Sequence, residues 1–365
     1  MEIVHIILGK ANPDRLNGVN KVVYNLATEQ AKAGKNIEVW GITHSPNHNY
    51  PNRNFTTKLF KAYKFPFALD HKLKEQILQN KHKTYHLHGG WVPVFSSVSK
   101  FLAKHSINYV ITPHGAYNAV AMKRSKIVKA IYFKLFEKQL LHMAKKIHSI
   151  GKSEVEGLNS IFPNQKSFLL PYGFTPNTSF TTQQKNKNFT IGFVGRLDTH
   201  TKGLDLLAKA FLQFQKQKPE SELWIIGGGV GEQFLKKFIE ENNAKNIQLW
   251  GKKFGDEKDK LIAQMHVFAH PSRNEGLPSA VLEAASLGVP TVVSDATNVA
   301  EYVTEHTAGI AIANENVTQL VEAFKKLEEA FKNGRIDVYE KGAQNMLQQV
   351  FAWPVLVEKY DMLYK

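Results

Sequence analysis

Two carboxylates bracket a short turn in the stretch 273–283, whose sequence is RNEGLPSAVLE. Pro278 near the start of a helix costs no hydrogen bond, and the unpaired N–H groups and the dipole at such a start favour an anion. Glu275 lies just before this predicted helix and Glu283 about a turn and a half inside it, so both can face one ligand. The spacing therefore predicts a binding site for an anionic ligand.

A second candidate anion site lies upstream in the stretch 191–207, whose sequence is IGFVGRLDTHTKGLDLL. An apolar strand leads into Gly195 and Arg196, and a short polar loop then brings Lys202 to the start of a helical pattern. In a doubly wound sheet, ligands bind where strands cross into helices, and two cations at that edge suit a diphosphate.

These two motifs, in this order and about 70 residues apart, resemble the C-terminal donor-binding half of the retaining GT-B glycosyltransferases of family 4. In the first half, the strand 1–8 followed by the segment 16–23 resembles the family's first strand, glycine loop and helix. The segments 86–90 and 112–115 resemble its inner strand ends. The family's first loop usually carries two glycines and an acid, and here Asn17 stands for a glycine and Asn20 for the acid.

Short apolar runs alternate with helical patterns along the chain, which is typical of parallel α/β sheets. The resemblance implies a GT-B fold, with two Rossmann-like doubly wound domains that face a central cleft. We expect an acceptor-binding domain at 1–170, a nucleotide-sugar-binding domain at 171–350 and a helix at 351–365 that crosses back to the first domain. The predicted strands are 2–8, 36–42, 84–88, 108–112, 147–150 and 166–170, then 189–194, 222–227, 246–250, 266–270 and 290–293.

The resemblance also implies roles for single residues. Glu275 would lie by the donor sugar, Glu283 would bind the ribose hydroxyls, and His114 would lie near the reacting sugar, which makes His114 and Glu275 the catalytic candidates. His88 and Asn118 would line the acceptor side of the cleft. The expected donor-binding residues are Gly18, Val19, Arg196, Lys202, Lys252, Asn274, Glu275, Gly276, Leu277, Pro278 and Glu283.

We expect no metal site. The chain has no cysteine and no Asp-x-Asp motif, and His86 and His88, whose spacing suits a metal, have no carboxylate partner nearby in sequence. Because these two histidines alternate at a strand end, we expect one of them to face the cleft and the other to point elsewhere. The resemblance implies a UDP- or GDP-sugar as donor, no required cofactor, and a front-face mechanism in which the departing phosphate helps to deprotonate the acceptor.

The excess of positive over negative charge lies entirely in the first half of the chain. Residues 1–170 carry 25 Lys and Arg against 9 Asp and Glu, whereas residues 171–365 carry 22 against 23. Such asymmetry points to an anionic partner. It is concentrated in the segments 58–83 and 123–146, where lysines alternate with apolar and aromatic residues. The second segment predicts a basic amphipathic helix for an anionic bilayer, and a solvated helix face is the alternative.

At 365 residues with 43% apolar content, the chain suits two hydrophobic cores. The sequence lacks a signal-peptide pattern and an apolar run of 18 residues, so we expect a cytoplasmic protein, peripheral at the inner face of the plasma membrane. We therefore expect transfer of a sugar to a lipid-linked or anionic saccharide in bacterial surface polysaccharide or lipopolysaccharide synthesis. The alternatives are a nucleotide-sugar epimerase of similar fold and a non-catalytic nucleotide-sugar-binding protein. Nucleic acid is not an expected partner, since it would leave the paired carboxylates without a purpose.

Overall fold

The computed structural model describes residues 1–12, 18–48, 50, 52–118, 122, 126–176 and 184–365. It divides into two compact units, Met1–Gly173 with Trp353–Lys365, and Phe174–Ala352. We call them unit 1 and unit 2. Unit 2 is therefore inserted between the main part of unit 1 and the terminal helix of unit 1.

Unit 1 is built on a parallel sheet of seven strands in the order β3-β2-β1-β4-β5-β6-β7. The order reverses between β1 and β4, where His5 lies opposite His86 in register. The strands are β1 Glu2–Leu8, β2 Asn36–Thr43, β3 Thr56–Lys61, β4 Thr84–His88, β5 Tyr109–Thr112, β6 Lys146–Ser149 and β7 Ser167–Leu169.

The helices of unit 1 cover the sheet with apolar faces. A π-helical stretch at Phe133–Glu137 separates two of them. The helix that follows unit 2 packs Leu356, Tyr360 and Leu363 into the core formed by β1, β2 and the first helix. The helices are α1 Gly18–Lys32, α2 His71–Gln79, α3 Pro93–Lys104, α4 Lys126–Tyr132, α5 Lys138–Met143, α6 Lys152–Ile161 and, after unit 2, α15 Trp353–Tyr364.

Unit 2 is built on a parallel sheet of six strands in the order β10-β9-β8-β11-β12-β13. This order reverses between β8 and β11. The strands are β8 Thr190–Val194, β9 Glu222–Ile226, β10 Ile247–Gly251, β11 Val267–His270, β12 Thr291–Ser294 and β13 Gly309–Ile312. The helices are α7 Thr199–Lys202, α8 Leu204–Gln215, α9 Glu232–Glu241, α10 Gly255–Gln264, α11 Ser279–Ser286, α12 Ala300–Glu305, α13 Val317–Lys332 and α14 Asp337–Met346, with a π-helical stretch at Leu347–Phe351.

The inner strands of both sheets are largely buried because helices cover both faces. β8 and β11 are fully buried, and Phe193 and Phe268 are among the largest buried side chains. All eleven predicted strands are present, and the predicted GT-B fold is confirmed. The prediction missed β3 and β13, which are edge strands and only partly buried.

The two basic segments differ in their secondary structure. The first contains β3 and α2, and its Phe60 is a core residue, whereas Phe65 is exposed. The second is two short helices and a π-helical stretch, and Lys146 already lies in β6. Lys123 and Arg124 lie outside the described residues. None of the helices in the described ranges is both long and apolar enough to cross a bilayer.

Candidate functional site

The two sequence motifs meet at the point where the strand order of unit 2 reverses. β8 leads into the loop that carries Arg196 and Lys202, and the neighbouring β11 leads into the loop that carries Glu275. In open α/β sheets, ligands bind at the carboxyl ends of the strands beside such a reversal. The strand order therefore brings together two loops that lie far apart in sequence.

Lys202 and Glu275 form an ion pair at this edge, with their side chains 13% and 24% exposed. Burial alone would raise the pKa of Glu275, but the His270 ring and the Lys202 ammonium outweigh it and hold that pKa at about 2. The carboxylate is therefore fully ionised at neutral pH, and it faces a cation.

His270, the last residue of β11, lies beneath this pair. Its ring stacks parallel to Phe193 and Phe268, and its Nε2 lies 3.6 Å from a carboxylate oxygen of Glu275. Apart from this long contact with Glu275, neither ring nitrogen has a hydrogen-bond partner within the described part of the chain. Burial lowers the pKa of His270, so the ring is neutral. Sequence analysis missed this residue because a histidine closing an apolar strand resembles a core residue.

Arg273 holds the two loops against each other. Its guanidinium donates two hydrogen bonds of 2.8 Å to the carboxylate of Asp205, and its backbone N–H donates to the carbonyl of Thr201 at 3.0 Å. It also pairs with Glu315. A bidentate Arg–carboxylate pair fixes orientation as well as distance. Arg273 was quoted in the motif but was not assigned a role, and Asp205 gave no signal beyond its place in the second motif.

Gly203 permits the close approach of the same loops. Its φ of +66° is left-handed, and a Cβ there would lie 2.1 Å from the carbonyl oxygen of Pro271. Only glycine accepts both constraints. The loop that precedes Glu275 thus requires the residue after Lys202 to be a glycine.

Backbone contacts hold the loop that carries Glu275 in place. Glu275 forms a parallel bridge with Thr297, and the carbonyl of Gly276 accepts from the N–H of Asn298 at 3.0 Å. Leu277 packs on the core of unit 2, and Pro278 is the N-cap of α11. The side chain of Asn274 is half-buried.

Glu283 is the fifth residue of α11, slightly closer to its start than predicted. Its carboxylate accepts a 2.7 Å hydrogen bond from Lys258 of α10 and is 26% exposed. Lys258 was not among the predicted residues. The pair joins a second carboxylate, on the helix that follows Glu275, to a cation on α10.

Arg196 and Lys252 are the more exposed members of the predicted set. The Arg196 side chain is 71% exposed and lies 3.6 Å from Asp198, so the structure does not bring it into the Lys202–Glu275 pair. The stem of Lys252 lies against Gly228, whose added Cβ would be 2.7 Å from the lysine Cε. Lys252 thus covers the glycine turn that follows β9.

In unit 1, His88 and His114 are hydrogen-bonded to each other, His88 Nδ1 to His114 Nε2 at 3.1 Å. The expectation that His86 and His88 point in different directions is wrong. Residues i and i+2 of a strand share a face, and the two ring centroids lie 3.9 Å apart. His5 of β1 lies beside both, and the ligand atoms of the three rings all fall within 4.8 Å of one another. Spacing alone could not predict His5, which looked like a core residue of β1.

The remaining predicted residues of unit 1 surround the ends of β1 and β5. Gly18 is exposed and open at its Cα, and Val19 packs on the core of unit 1. The N–H of Asn118 donates to the carbonyl of Gly115 at 3.3 Å. Asn20 is buried and accepts a hydrogen bond from the Lys10 N–H at 3.2 Å, whereas Asn17 lies outside the described residues.

Comparison with known families accounts for nearly the whole chain. The family described as glycosyl transferases group 1 matches residues 175–342, and glycosyltransferase family 4 matches residues 16–177. The two matches together span both units, and each contains one half of the predicted site.

Individual relatives extend the match. An uncharacterized glycosyltransferase of Haemophilus influenzae is 21% identical over 94% of this chain and 95% of its own length. The O-antigen biosynthesis glycosyltransferase WbnH of Escherichia coli is 27% identical over 63% of this chain, which spans 64% of that relative. The crystal structure of Anabaena Alr3699/HepE in complex with UDP superimposes with a TM-score of 0.72 at 13% identity, covering 99% of both chains.

Proposed function

Because the chain belongs to the group 1 glycosyltransferases and has the GT-B fold, we propose that it transfers a sugar, with retention of configuration, from a nucleoside-diphosphate sugar to a saccharide acceptor. The observation that carries this proposal is the Lys202–Glu275 pair at the strand-order reversal of unit 2. There a cation for the diphosphate and an ionised carboxylate for the sugar stand side by side.

The donor occupies unit 2. Lys202 binds the diphosphate together with the start of α11, whose first N–H groups receive no side-chain cap. Arg196 is exposed and free to swing toward the same phosphates, and Glu283 accepts hydrogen bonds from the ribose hydroxyls. A UDP-sugar or a GDP-sugar fits this set, and the solved relative HepE is described in complex with UDP.

The chemistry needs one bond broken and one formed. The bond between the anomeric carbon and the diphosphate oxygen breaks, the acceptor oxygen attacks from the same face, and its proton passes to the departing phosphate. Lys202 stabilises the negative charge that develops on the diphosphate, and the Glu275 carboxylate stabilises positive charge on the sugar ring. No step requires a metal or a cofactor.

A thermal-shift screen tests the donor site. We expect one family of nucleoside diphosphates to raise the melting temperature of the wild type, since a ligand at 100 times its Kd stabilises the folded state by about 2.7 kcal/mol. Glu283→Ala removes the ribose contact and abolishes most of that shift. Glu328→Ala is the matched control, because Glu328 is also an ion-paired helix carboxylate of unit 2.

Each outcome of this screen has a meaning. A shift that survives Glu283→Ala contradicts the ribose assignment, and no shift with any nucleotide contradicts the donor site as a whole. Turnover of the donor without an acceptor would point to an epimerase. Binding without turnover under any acceptor condition would point to a nucleotide-sugar-binding protein.

We further propose that the acceptor is a lipid-linked or anionic saccharide at the inner face of the plasma membrane, in surface polysaccharide or lipopolysaccharide assembly. The relative WbnH is described as acting in O-antigen biosynthesis. In unit 1, four apolar side chains of the second basic segment are 57% to 77% exposed, and they alternate with Lys129, Lys134 and Lys138. The four are Ile127, Val128, Ile131 and Leu135.

This apolar and basic patch matches the surface of an anionic bilayer, which accepts apolar side chains and attracts lysine. We expect the protein to float with vesicles that contain an anionic phospholipid and not with neutral vesicles. Ile127→Glu with Ile131→Glu should abolish flotation. The control is Val230→Glu, which changes a 90% exposed apolar residue of unit 2. Equal flotation of all proteins, or no preference for anionic vesicles, would refute the membrane proposal.

A further inference from the structure

A continuous hydrogen-bond chain runs through the interior of unit 1 and contains five histidines. All ten ring nitrogens of these histidines take part. From one end to the other, the members are Tyr172, His114, His88, His5, Gln30, Tyr364, His86, Thr112, His148 and the carbonyl of Leu170. We call this series the histidine chain.

The carbonyl of Leu170 sets the direction at one end. A carbonyl only accepts, so Nε2 of His148 donates to it at 2.7 Å, and the Nδ1 of a neutral His148 must accept. That Nδ1 lies 2.8 Å from the hydroxyl of Thr112, which therefore donates to it. The hydroxyl has no second proton, so Nε2 of His86 donates to Thr112 at 2.6 Å.

The hydroxyl of Tyr364 determines which groups donate and which accept in the next part of the histidine chain. Nδ1 of His86 must now accept, and its partner at 3.0 Å is that hydroxyl, which gives up its single proton. Gln30, 3.1 Å from the same oxygen, can then only donate through its side-chain N–H. The amide oxygen of Gln30 consequently faces His5 and accepts from its Nε2 at 2.7 Å.

The same logic determines the remaining three links. Nδ1 of His5 accepts from Nε2 of His88 at 2.9 Å, and Nδ1 of His88 accepts from Nε2 of His114 at 3.1 Å. Nδ1 of His114 then accepts from the hydroxyl of Tyr172. Burial favours the uncharged ring, and it lowers the pKa to about 4 in His5 and His148 and to about 3 in His114.

We propose that the histidine chain fixes all five rings as neutral Nε2–H tautomers and thereby makes His114 a positioning residue with no ring nitrogen left for proton transfer. Tyr364, on the helix that follows unit 2, is the link that transmits the direction to His114. The role of His114 in transfer rests on the proposed function, but its tautomer does not.

The histidine chain also accounts for the cluster of His5, His86 and His88 without a metal. A metal ion binds the lone pair of an unprotonated ring nitrogen. In this chain each Nε2 carries a proton, and each Nδ1 lone pair already accepts a hydrogen bond. Coordination by all three rings would require breaking at least two of these buried hydrogen bonds.

The test is a long-range proton–nitrogen correlation spectrum of the ¹⁵N-histidine-labelled protein, assigned by single His→Gln variants. At neutral pH we expect the five rings to be protonated at Nε2 only. In Tyr364→Phe, His86 and His148 stay protonated at Nε2, because the Leu170 carbonyl still accepts from His148 and so fixes the donors and acceptors up to His86. Without the Tyr364 hydroxyl, the Gln30 amide can flip and turn its N–H groups toward Nε2 of His5. The hydrogen bonds of His5, His88 and His114 can then reverse, and these three rings show a new Nδ1–H population.

Tyr360→Phe is the control, because Tyr360 is buried on the same helix and its hydroxyl makes no hydrogen bond within the described residues. It should leave all five tautomers unchanged. A wild-type ring protonated at Nδ1, a charged ring at neutral pH, or loss of these signals on addition of Zn²⁺ would overturn the proposal. If the protein is also a transferase, Tyr364→Phe lowers kcat by about fivefold to tenfold, with little change in KM for the donor. Failure of that assay alone would count against the proposed function and leave the tautomer result standing.

Discussion

Glu275→Gln should lower the rate of sugar transfer by about 100-fold to 1,000-fold, the usual effect of removing one group that stabilises transition-state charge. The substitution keeps the size of the side chain and removes a carboxylate whose pKa is held at about 2. Because that carboxylate is ionised throughout the neutral range, its loss cannot be recovered by raising the pH. The measurement is kcat with the donor identified by the thermal-shift screen.

Two comparisons separate this effect from a loss of structure. Glu315→Gln removes a more exposed carboxylate from the same loop network and should change kcat by less than about threefold. If Glu275 acts only by holding Lys202 in place, Glu275→Gln weakens binding of the nucleoside diphosphate, whose phosphates Lys202 binds. We expect Glu275→Gln to bind the nucleoside diphosphate with the wild-type Kd, and a loss of affinity as large as the loss of kcat would refute a role for Glu275 on the sugar.

Gly203→Ala should destabilise unit 2 by about 3 to 5 kcal/mol and abolish nucleotide binding. A left-handed φ costs an alanine about 1 to 2 kcal/mol. The new Cβ would also lie 2.1 Å from the carbonyl oxygen of Pro271, so the loop that carries Glu275 must move away from Lys202. Calorimetric unfolding and nucleotide titration measure the two effects.

Gly334→Ala measures the free-energy cost of the left-handed backbone conformation by itself. Gly334 has a φ of +65°, nearly equal to that of Gly203, and also follows a helix, but a Cβ there meets no atom within 4 Å. It should cost only the about 1 to 2 kcal/mol of the left-handed conformation and leave nucleotide binding intact. Equal destabilisation by both substitutions would mean that the contact with Pro271 does not hold the loops together.

The inner part of each sheet could be predicted from sequence because parallel strands covered on both faces are short, uninterrupted apolar runs. β8 is of this kind. β3 could not be predicted in the same way, because it contains two threonines and two lysines and reads as part of a charged segment. Edge strands carry less of the pattern since only one side of them is paired and their burial is partial.

The predicted site was incomplete in the contacts between its residues. Glu275 and Lys202 were predicted separately, as a sugar contact and a phosphate contact, and the structure pairs them directly. Spacing cannot predict that pair because it depends on β8 and β11 being neighbours, which is a property of strand order. The histidine chain could not be predicted for the same reason, since its members come from six strands and helices, from the loop after β5 and from the segment 170–172.

The division into units determines the order in which the two hydrophobic cores can be completed during synthesis. Residues 1–173 leave the ribosome first, yet their core contains Leu356, Tyr360 and Leu363, which are translated only after all of unit 2. Unit 2 can complete its own hydrophobic core while unit 1 still exposes the apolar groove that α15 will fill. The half of the molecule that starts folding first is therefore the one that finishes last, and a chain halted before residue 353 would hold a finished unit 2 beside an unfinished unit 1.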